Sequence, residues 1–183
     1  MRMPAGVREA DRLLTQQAAA GIPAPVAKVL SAVEEAAEGA KLWCGTAAVM
    51  LVVGGTRGRI AAASGLSAVV VAQLASNGVC KQLAGRPRPP SEWIPHDEVD
   101  DRPDSSSFPS GHTAAAVAFT AAVAPSWPAV GTLCAIPATM VAIERVQSGA
   151  HYPSDVFVGA VIGLAGAWLS RQAPRLLLQL CWW

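Results

Sequence analysis

Three short polar clusters lie between residues 81 and 155, each beside a long apolar stretch. They are Lys81 with Arg88-Pro89, Pro109-Ser110-Gly111-His112, and Arg145 with His151 and Asp155. Together they supply three cations, two imidazoles, a hydroxyl and a carboxylate. Attack on phosphorus needs such a set, because cations must hold the phosphoryl oxygens and an acid must protonate the leaving group. In a chain this apolar, the inventory indicates a lipid phosphate as substrate.

The second cluster predicts the start of a helix. Ser110 and Gly111 are good N-cap residues, and an Ala-rich stretch follows them. A helix N-terminus presents unpaired N–H groups and the positive end of the dipole, which favour an anion. Gly111 would let a phosphate approach the backbone closely, with His112 in the first turn. Taken alone, the pattern is also typical of a capped helix with a solvent-facing histidine.

The third cluster predicts a second helix start, at Pro153-Ser154. Asp155 in the first turn is favoured by the helix dipole, and it could accept a hydrogen bond from His151. Such a bond fixes the tautomer and leaves the other ring nitrogen free as a nucleophile. A loop histidine beside a capping aspartate explains the same pattern without any chemistry.

The composition indicates a membrane protein. The chain of 183 residues is 52% hydrophobic and 15% charged, whereas soluble domains are about 25% charged. The net charge of +1 and the lack of a basic stripe argue against a nucleic-acid partner. The four cysteines form no CxxC pair, so we expect free thiols and no metal site. The N-terminus has no apolar run of signal-peptide length, so we expect no cleaved signal.

Five apolar segments are candidate membrane spans. They lie near 40–56, 60–79, 112–125, 127–143 and 156–170. Since a span needs about 20 residues, the third is expected to borrow from 108–111 and the fifth from 176–180. Tight turns are expected at 56–59 and 125–128. The predicted fold is all-α, a polytopic membrane helical bundle with about five spans.

Two short amphipathic helices are predicted before the first span. Apolar residues recur at helical spacing over 7–19 and again from 26 to 38, and Gly-Ile-Pro-Ala-Pro at 21–25 separates the two patterns. Such helices suit the membrane surface, or they pack on the protein's own helices. We therefore expect a single membrane domain over 1–183, with an amphipathic segment 1–38 and a catalytic bundle 39–183.

Five spans would place both longer connections, 80–111 and 144–155, on one membrane face. All three clusters would then meet there. Lys and Arg are more frequent on this face, which predicts a cytoplasmic site in a bacterial inner membrane. Gly159-x-x-x-Gly163 indicates close packing inside the bundle, and homo-oligomerisation is left open.

The clusters resemble the signature of the type 2 phosphatidic acid phosphatase family of membrane lipid phosphatases. That family reads Lys-x6-Arg-Pro, then Pro-Ser-Gly-His, then Ser-Arg-x5-His-x3-Asp. The matching residues here are Lys81 with Arg88-Pro89, 109–112, and Arg145 with His151 and Asp155. Glu144 replaces the serine of the third motif. A carboxylate there should weaken phosphate binding unless it faces away or pairs with a cation such as Arg86.

The resemblance implies a role for each residue. His151 would attack phosphorus and form a phosphohistidine, Asp155 would orient it, and His112 would protonate the leaving alkoxide and then activate water. The groups implied to hold the phosphoryl oxygens are Lys81, Arg88, Arg145, Ser110 and the Gly111 N–H. No metal or other cofactor is expected, because these cations hold the phosphoryl oxygens as a metal ion does elsewhere.

The implied substrate is a lipid phosphate, and the implied setting is the bilayer. A polyprenyl-linked lipid, such as decaprenylphosphoryl phosphoribose or a polyprenyl diphosphate, is the first expectation for a chain with this Ala-, Gly- and Arg-rich composition. Phosphatidic acid and phosphatidylglycerophosphate are alternatives, as are a lipid phosphotransferase and a non-enzymatic lipid-binding or transport protein. His96 matches no motif and is interpreted as loop or substrate rim. The acidic run 97–104 is a solvated loop tip or a weak divalent-ion site.

Overall fold

The computed structural model describes residues 3–94 and 105–180, with side chains up to residue 172. Within these ranges the chain forms helices and connections and no strand, which confirms the all-α prediction. The α-helices are α1 Ala5–Gly21, α2 Ala24–Ala37, α3 Lys41–Val53, α4 Gly55–Gln73, α5 Lys81–Ala84, α6 Gly111–Val123, α7 Pro128–Gln147 and α8 Pro153–Leu180. A π-helical turn, Leu74–Cys80, joins α4 to α5. His96 and the acidic run 97–104 lie outside the described residues.

Four stretches of the described chain are long and apolar enough to cross a membrane. They are Ala24–Val53, Gly55–Ala84, Pro128–Gln147 and Pro153–Gln172. The third expected span, α6, has only 13 residues and gains nothing from 108–110. It packs against α4, α7 and α8, and residues along it such as Ala116 and Phe119 are fully buried. Because other helices bury most of α6, its length need not match the bilayer.

The first interhelical turn differs from its predicted position. The chain breaks at Gly54-Gly55, where Gly55 has φ 53°, a left-handed conformation that glycine adopts without strain. Residues 56–59 therefore belong to α4. The turn expected at 125–128 is confirmed, because α6 ends at Val123 and α7 begins at Pro128.

Two glycines of α8 bring that helix against α6. A Cβ placed on Gly159 would lie 2.5 Å from the Ser110 carbonyl oxygen, and one on Gly163 would lie 2.6 Å from the Ala114 carbonyl oxygen. The prediction that this motif packs within the bundle is confirmed. As a result the first turn of α8, with the third cluster, lies beside the first turn of α6, with the second.

The N-terminal helices pack on the bundle. α1 contacts α7 and α8 through a stripe in which Asp11, Thr15 and Ala19 are buried, while Leu13 and Leu14 are exposed. α1 thus turns Asp11 and Thr15 to the protein, whereas Leu13 and Leu14 are exposed together with charged residues such as Arg12. α2 packs on α7 and continues into α3 through a kink at Gly39-Ala40.

Candidate active site

The second cluster forms a capped helix N-terminus, as predicted. The Ser110 hydroxyl accepts a hydrogen bond from the Thr113 N–H at 3.4 Å and lies 3.0 Å from the Thr113 hydroxyl. Ser110 is fully buried, so its hydroxyl serves the cap in this structure. A Cβ on Gly111 would lie 2.6 Å from Asn77 Oδ1. Glycine at this position leaves room for the Asn77 side-chain amide, which a larger residue would push aside.

His151 is held by a backbone carbonyl. Its side chain is buried, and Nδ1 contacts the Ser107 carbonyl oxygen. The expected hydrogen bond to Asp155 is not formed, because Nδ1 lies 3.9 Å from Asp155 Oδ2. A carbonyl can only accept, so this contact places the proton on Nδ1 and leaves the lone pair on Nε2. Sequence reasoning missed Ser107, since a backbone acceptor leaves no side-chain signature.

Burial and positive charge keep the imidazole of His151 neutral. Burial lowers the pKa of His151 most, followed by repulsion from Arg88 and Arg145, and together they hold it well below the ordinary 6.5. The hydrogen bond with the Ser107 carbonyl raises the pKa of His151, but by less than burial and the arginines lower it. A neutral imidazole with a free lone pair is the nucleophilic form.

The two cations of the first cluster, Arg88 and Lys81, act on this histidine. Arg88 Nη1 donates to the Ala150 carbonyl oxygen at 2.7 Å, directly before His151, and its Nη2 donates to Ser105 Oγ at 3.4 Å. Lys81, half-buried at the start of α5, also lowers the pKa of His151 by repulsion. The π-helical turn that precedes Lys81 is a feature often found at functional sites.

Asp155 is held by Arg86 rather than by the histidine. Arg86 Nη1 contacts Asp155 Oδ1 and donates to Ser154 Oγ at 2.8 Å, while Asp155 Oδ2 accepts from the Tyr152 N–H at 3.0 Å. The Arg86 guanidinium also stacks over the Tyr152 ring, 4.0 Å from its centroid. The sequence suggested Arg86 as a partner for Glu144, and the structure shows this to be wrong.

The N-terminal helix supplies a second carboxylate to Arg86. Asp11 Oδ2 accepts from Arg86 Nη2 at 2.7 Å and from the Ser154 hydroxyl at 2.7 Å. Asp11 Oδ1 accepts from the Ser154 N–H at 3.0 Å. Sequence reasoning missed Asp11, because the amphipathic pattern of α1 marks a polar face without identifying what that face meets.

A chain of carboxylates and cations joins Arg145 to His112. Arg145 Nε donates to Glu144 Oε2, so Glu144 does pair with a cation, but that cation is its neighbour. Arg145 Nη1 lies 3.0 Å from Glu34 Oε1, and the same oxygen lies 3.3 Å from His112 Nε2. Glu34 belongs to α2 and was not predicted as a site residue.

The three clusters thus meet at one end of the bundle. Arg88 contacts the loop before His151, the Ser110 N–H donates to the Asp155 carbonyl oxygen at 3.1 Å, and the cations of two clusters act on His151. The arrangement suits a nucleophilic imidazole facing a bound anion. Among the described residues, no group of three or more His, Cys, Asp or Glu is placed to hold a metal ion.

Comparison with known sequences gives one matching family and two related enzymes. The profile of the PAP2 superfamily matches residues 61–177. Two curated relatives are lipid A 1-phosphatases. That of Rhizobium johnstonii is 44% identical over 64 residues, 35% of this chain and 25% of the relative. That of Rhizobium etli is 44% identical over 57 residues, 31% and 25% of the two chains. This chain therefore spans about a quarter of the length of these relatives.

Two solved structures share the fold. One is a transmembrane PAP2-type phosphatidylglycerolphosphate phosphatase from Bacillus subtilis, with a TM-score of 0.69 and 21% identity over 94% of this chain and 88% of that chain. The other is LpxE from Aquifex aeolicus, with a TM-score of 0.69 and 21% identity over 87% of this chain and 93% of that chain. At this identity the likeness concerns the fold.

Proposed function

The chain belongs to the PAP2 superfamily, and we propose that it is an integral-membrane lipid phosphatase that works through a phosphohistidine at His151. The observation that carries the proposal is the state of His151. Its Nδ1 faces a backbone carbonyl, and burial with two arginines lowers its pKa. These features favour a neutral imidazole with Nε2 available to attack, among cations that suit the phosphoryl oxygens.

The first half of the reaction transfers the phosphoryl group to the protein. Nε2 of His151 bonds to phosphorus while the bond from phosphorus to the lipid oxygen breaks. That oxygen takes a proton from His112, and the lipid leaves. Burial and then the charges of Arg145 and Lys81 lower the pKa of His112 to about 4, so His112 takes up this proton only once the anionic phosphate lies beside it. Lys81, Arg88 and Arg145 hold the phosphoryl oxygens and stabilise the charge that develops in the transition state.

The second half returns the protein to its starting state. His112, now neutral, takes a proton from water as the water oxygen bonds to phosphorus. The phosphorus–nitrogen bond then breaks, which frees phosphate and neutral His151. Asp155 orients His151 from the first turn of α8, where Arg86 fixes the Asp155 carboxylate. Ser110 supports the helix N-terminus whose Gly111 N–H faces the anion.

The substrate we propose first is a polyprenyl-linked phosphate or diphosphate, cleaved in the cell membrane of a bacterium at a cytoplasmic site. The lipid classes named for the relatives, lipid A and phosphatidylglycerolphosphate, are the alternatives. An apolar groove between α2 and α7 supports a lipid in general. Val29 and Val33 of α2 line it, together with Leu42 and Pro137. We also propose that residues 1–183 form one domain, since α1 and α2 contribute to the site.

The test is phosphate release from a panel of purified lipid phosphates in detergent. The panel holds a polyprenyl phosphate, a polyprenyl diphosphate, phosphatidic acid, phosphatidylglycerolphosphate and lipid A, each with and without EDTA. We expect release that EDTA does not reduce, with a polyprenyl lipid as the best substrate. Release of phosphate in water without an acceptor lipid separates a hydrolase from an obligate phosphotransferase. No release from any lipid would overturn the proposal.

A further inference from the structure

Glu34 reaches the site from outside the region that the family profile matches. It lies on α2, and its Oε1 is 3.0 Å from Arg145 Nη1 and 3.3 Å from His112 Nε2. Its side chain is 15% exposed and that of Arg145 is 13% exposed, so this ion pair is largely shielded from water. One carboxylate oxygen therefore joins the arginine to the histidine.

The substrate needs the same two groups. In the proposed mechanism Arg145 holds a phosphoryl oxygen, and His112 lies beside the lipid oxygen that leaves. A carboxylate oxygen and a phosphoryl oxygen compete for the same donors, because both are anionic acceptors of similar size. Arg145 Nε already donates to Glu144. A phosphate oxygen that is to lie between Arg145 Nη1 and His112 Nε2 must therefore move Glu34 aside.

We infer that Glu34 is a specificity-determining residue, which competes with the phosphoryl group for Arg145 and His112 and so selects lipid phosphates over soluble ones. The inference rests on the proposed function. Inorganic phosphate or a small ester has only its phosphoryl group with which to displace Glu34. A lipid phosphate also gains free energy from burying its chain, and binding energy from a remote part of a substrate can drive a change at the reacting centre.

The position of the apolar groove fits this competition. Val33 precedes Glu34 in the chain, and Val29 lies one turn earlier on α2. Both line the groove with Pro137 of α7. A lipid chain lying there contacts the helix that carries Glu34, whereas inorganic phosphate does not. Binding of the lipid chain therefore acts directly on α2, the helix that carries Glu34.

A different role would give different results. If Glu34 only oriented His112, its loss would lower kcat and leave phosphate affinity unchanged. If it competes with phosphate, its loss raises phosphate affinity, because the donors are then open and a nearby negative charge is removed. Affinity for a simple anion separates the two roles, and its measurement needs no turnover.

The experiment is calorimetric titration of the full chain in detergent with inorganic phosphate. We expect Glu34→Gln to bind phosphate roughly tenfold more tightly than the unmodified chain, within the usual range of coupling between competing interactions. Glu35→Gln is the matched control, because it removes the same charge from an exposed position one residue along α2. It should bind like the unmodified chain. If Glu34→Gln does not fold, Glu34→Ala is titrated in its place. A dissociation constant within twofold of the unmodified chain would overturn the inference.

A second measurement tests selection itself. The ratio of kcat/KM for a lipid phosphate to that for the soluble ester p-nitrophenyl phosphate should fall about fivefold or more in Glu34→Gln and stay constant in Glu35→Gln. A constant ratio in both variants contradicts selection by Glu34. Failure of the proposed phosphatase function looks different, since no variant would then release phosphate from any lipid while the calorimetric difference could persist.

Discussion

Asp11 of the first helix and Arg86 of the loop after α5 form a buried ion pair, with Oδ2 and Nη2 2.7 Å apart. Arg86 also holds Asp155, and Asp11 also holds Ser154. The two carboxylates therefore share one guanidinium, and α1 is fastened to the first turn of α8. The helix that the sequence marks as amphipathic is thus a support of the site.

Asp11→Asn should lower both stability and turnover. The change keeps the shape of the side chain but leaves Arg86 with one carboxylate, and breaking a buried pair costs about 3–5 kcal/mol. We expect a lower melting temperature in detergent and a lower kcat, with KM little changed. The control is Glu9→Gln, on the same helix, which removes an exposed pair with Arg12 and should change neither value. Equal behaviour of the two variants would contradict a supporting role for α1.

The sequence was sufficient for the parts of the site that depend on local pattern. The cap at Ser110 and the close packing of Gly159 and Gly163 follow from residue types at fixed spacing. The meeting of the three clusters follows from the alternation of spans and connections. Each of these features is encoded within a few residues or by the order of apolar segments, so it can be inferred without knowing how the helices dock.

The contacts that the sequence did not predict all depend on docking. Glu34 and Asp11 reach the site from helices far away in the chain, and helical periodicity gives a face but not its partner. The Ser107 carbonyl holds His151 with a backbone atom, which any residue would provide. The short length of α6 was also not predicted. The estimate of about 20 residues applies to a helix that crosses the bilayer in contact with lipid, whereas other helices bury most of α6.

Asp155→Asn should reduce turnover moderately. Where a carboxylate sets the histidine tautomer, its loss costs about 10⁴ in kcat. Here Nδ1 faces the Ser107 carbonyl and lies 3.9 Å from Asp155. We therefore expect a loss of about 10–100-fold, typical of a group that orients another. The measurement is kcat and KM, determined separately, for the best lipid substrate. A loss as large as that of His151→Ala would show that Asp155 sets the tautomer after all.

His112→Ala should trap the covalent intermediate that His151 is proposed to form. His112 serves both halves of the reaction, but a lipid phosphate with a good leaving group needs no acid in the first half. With such a substrate carrying labelled phosphorus, we expect an acid-labile, base-stable label to accumulate on His112→Ala. In the His112→Ala background, the label should be absent when His151→Ala is added and unchanged when His96→Ala, at the third histidine of the chain, is added. Label in the His112→Ala, His151→Ala double variant would contradict the assignment of the nucleophile.

The acid side of the pH profile should reflect the lowered pKa of His151. Burial, then Arg88 and Arg145, lower that pKa below 6.5. The neutral imidazole therefore contributes stability that is complete above pH 6.5. That contribution is lost as the pH falls through the folded pKa, because the unfolded chain takes up the proton first. Because only the neutral imidazole can attack phosphorus, kcat/KM should also begin to fall only below pH 6.5.

Arg88→Gln tests the cause of that shift. Removing one repelling charge raises the pKa of His151, so the acid limb of kcat/KM should move to higher pH even though the rate is lower throughout. Arg57→Gln, an exposed cation at the start of α4, should leave the limb in place. The second ionisation of the substrate phosphate, near pH 6, is common to all variants and cancels in the comparison. An acid limb that starts above pH 6.5, or one that Arg88→Gln does not move, would show that the cations around His151 do not set its charge.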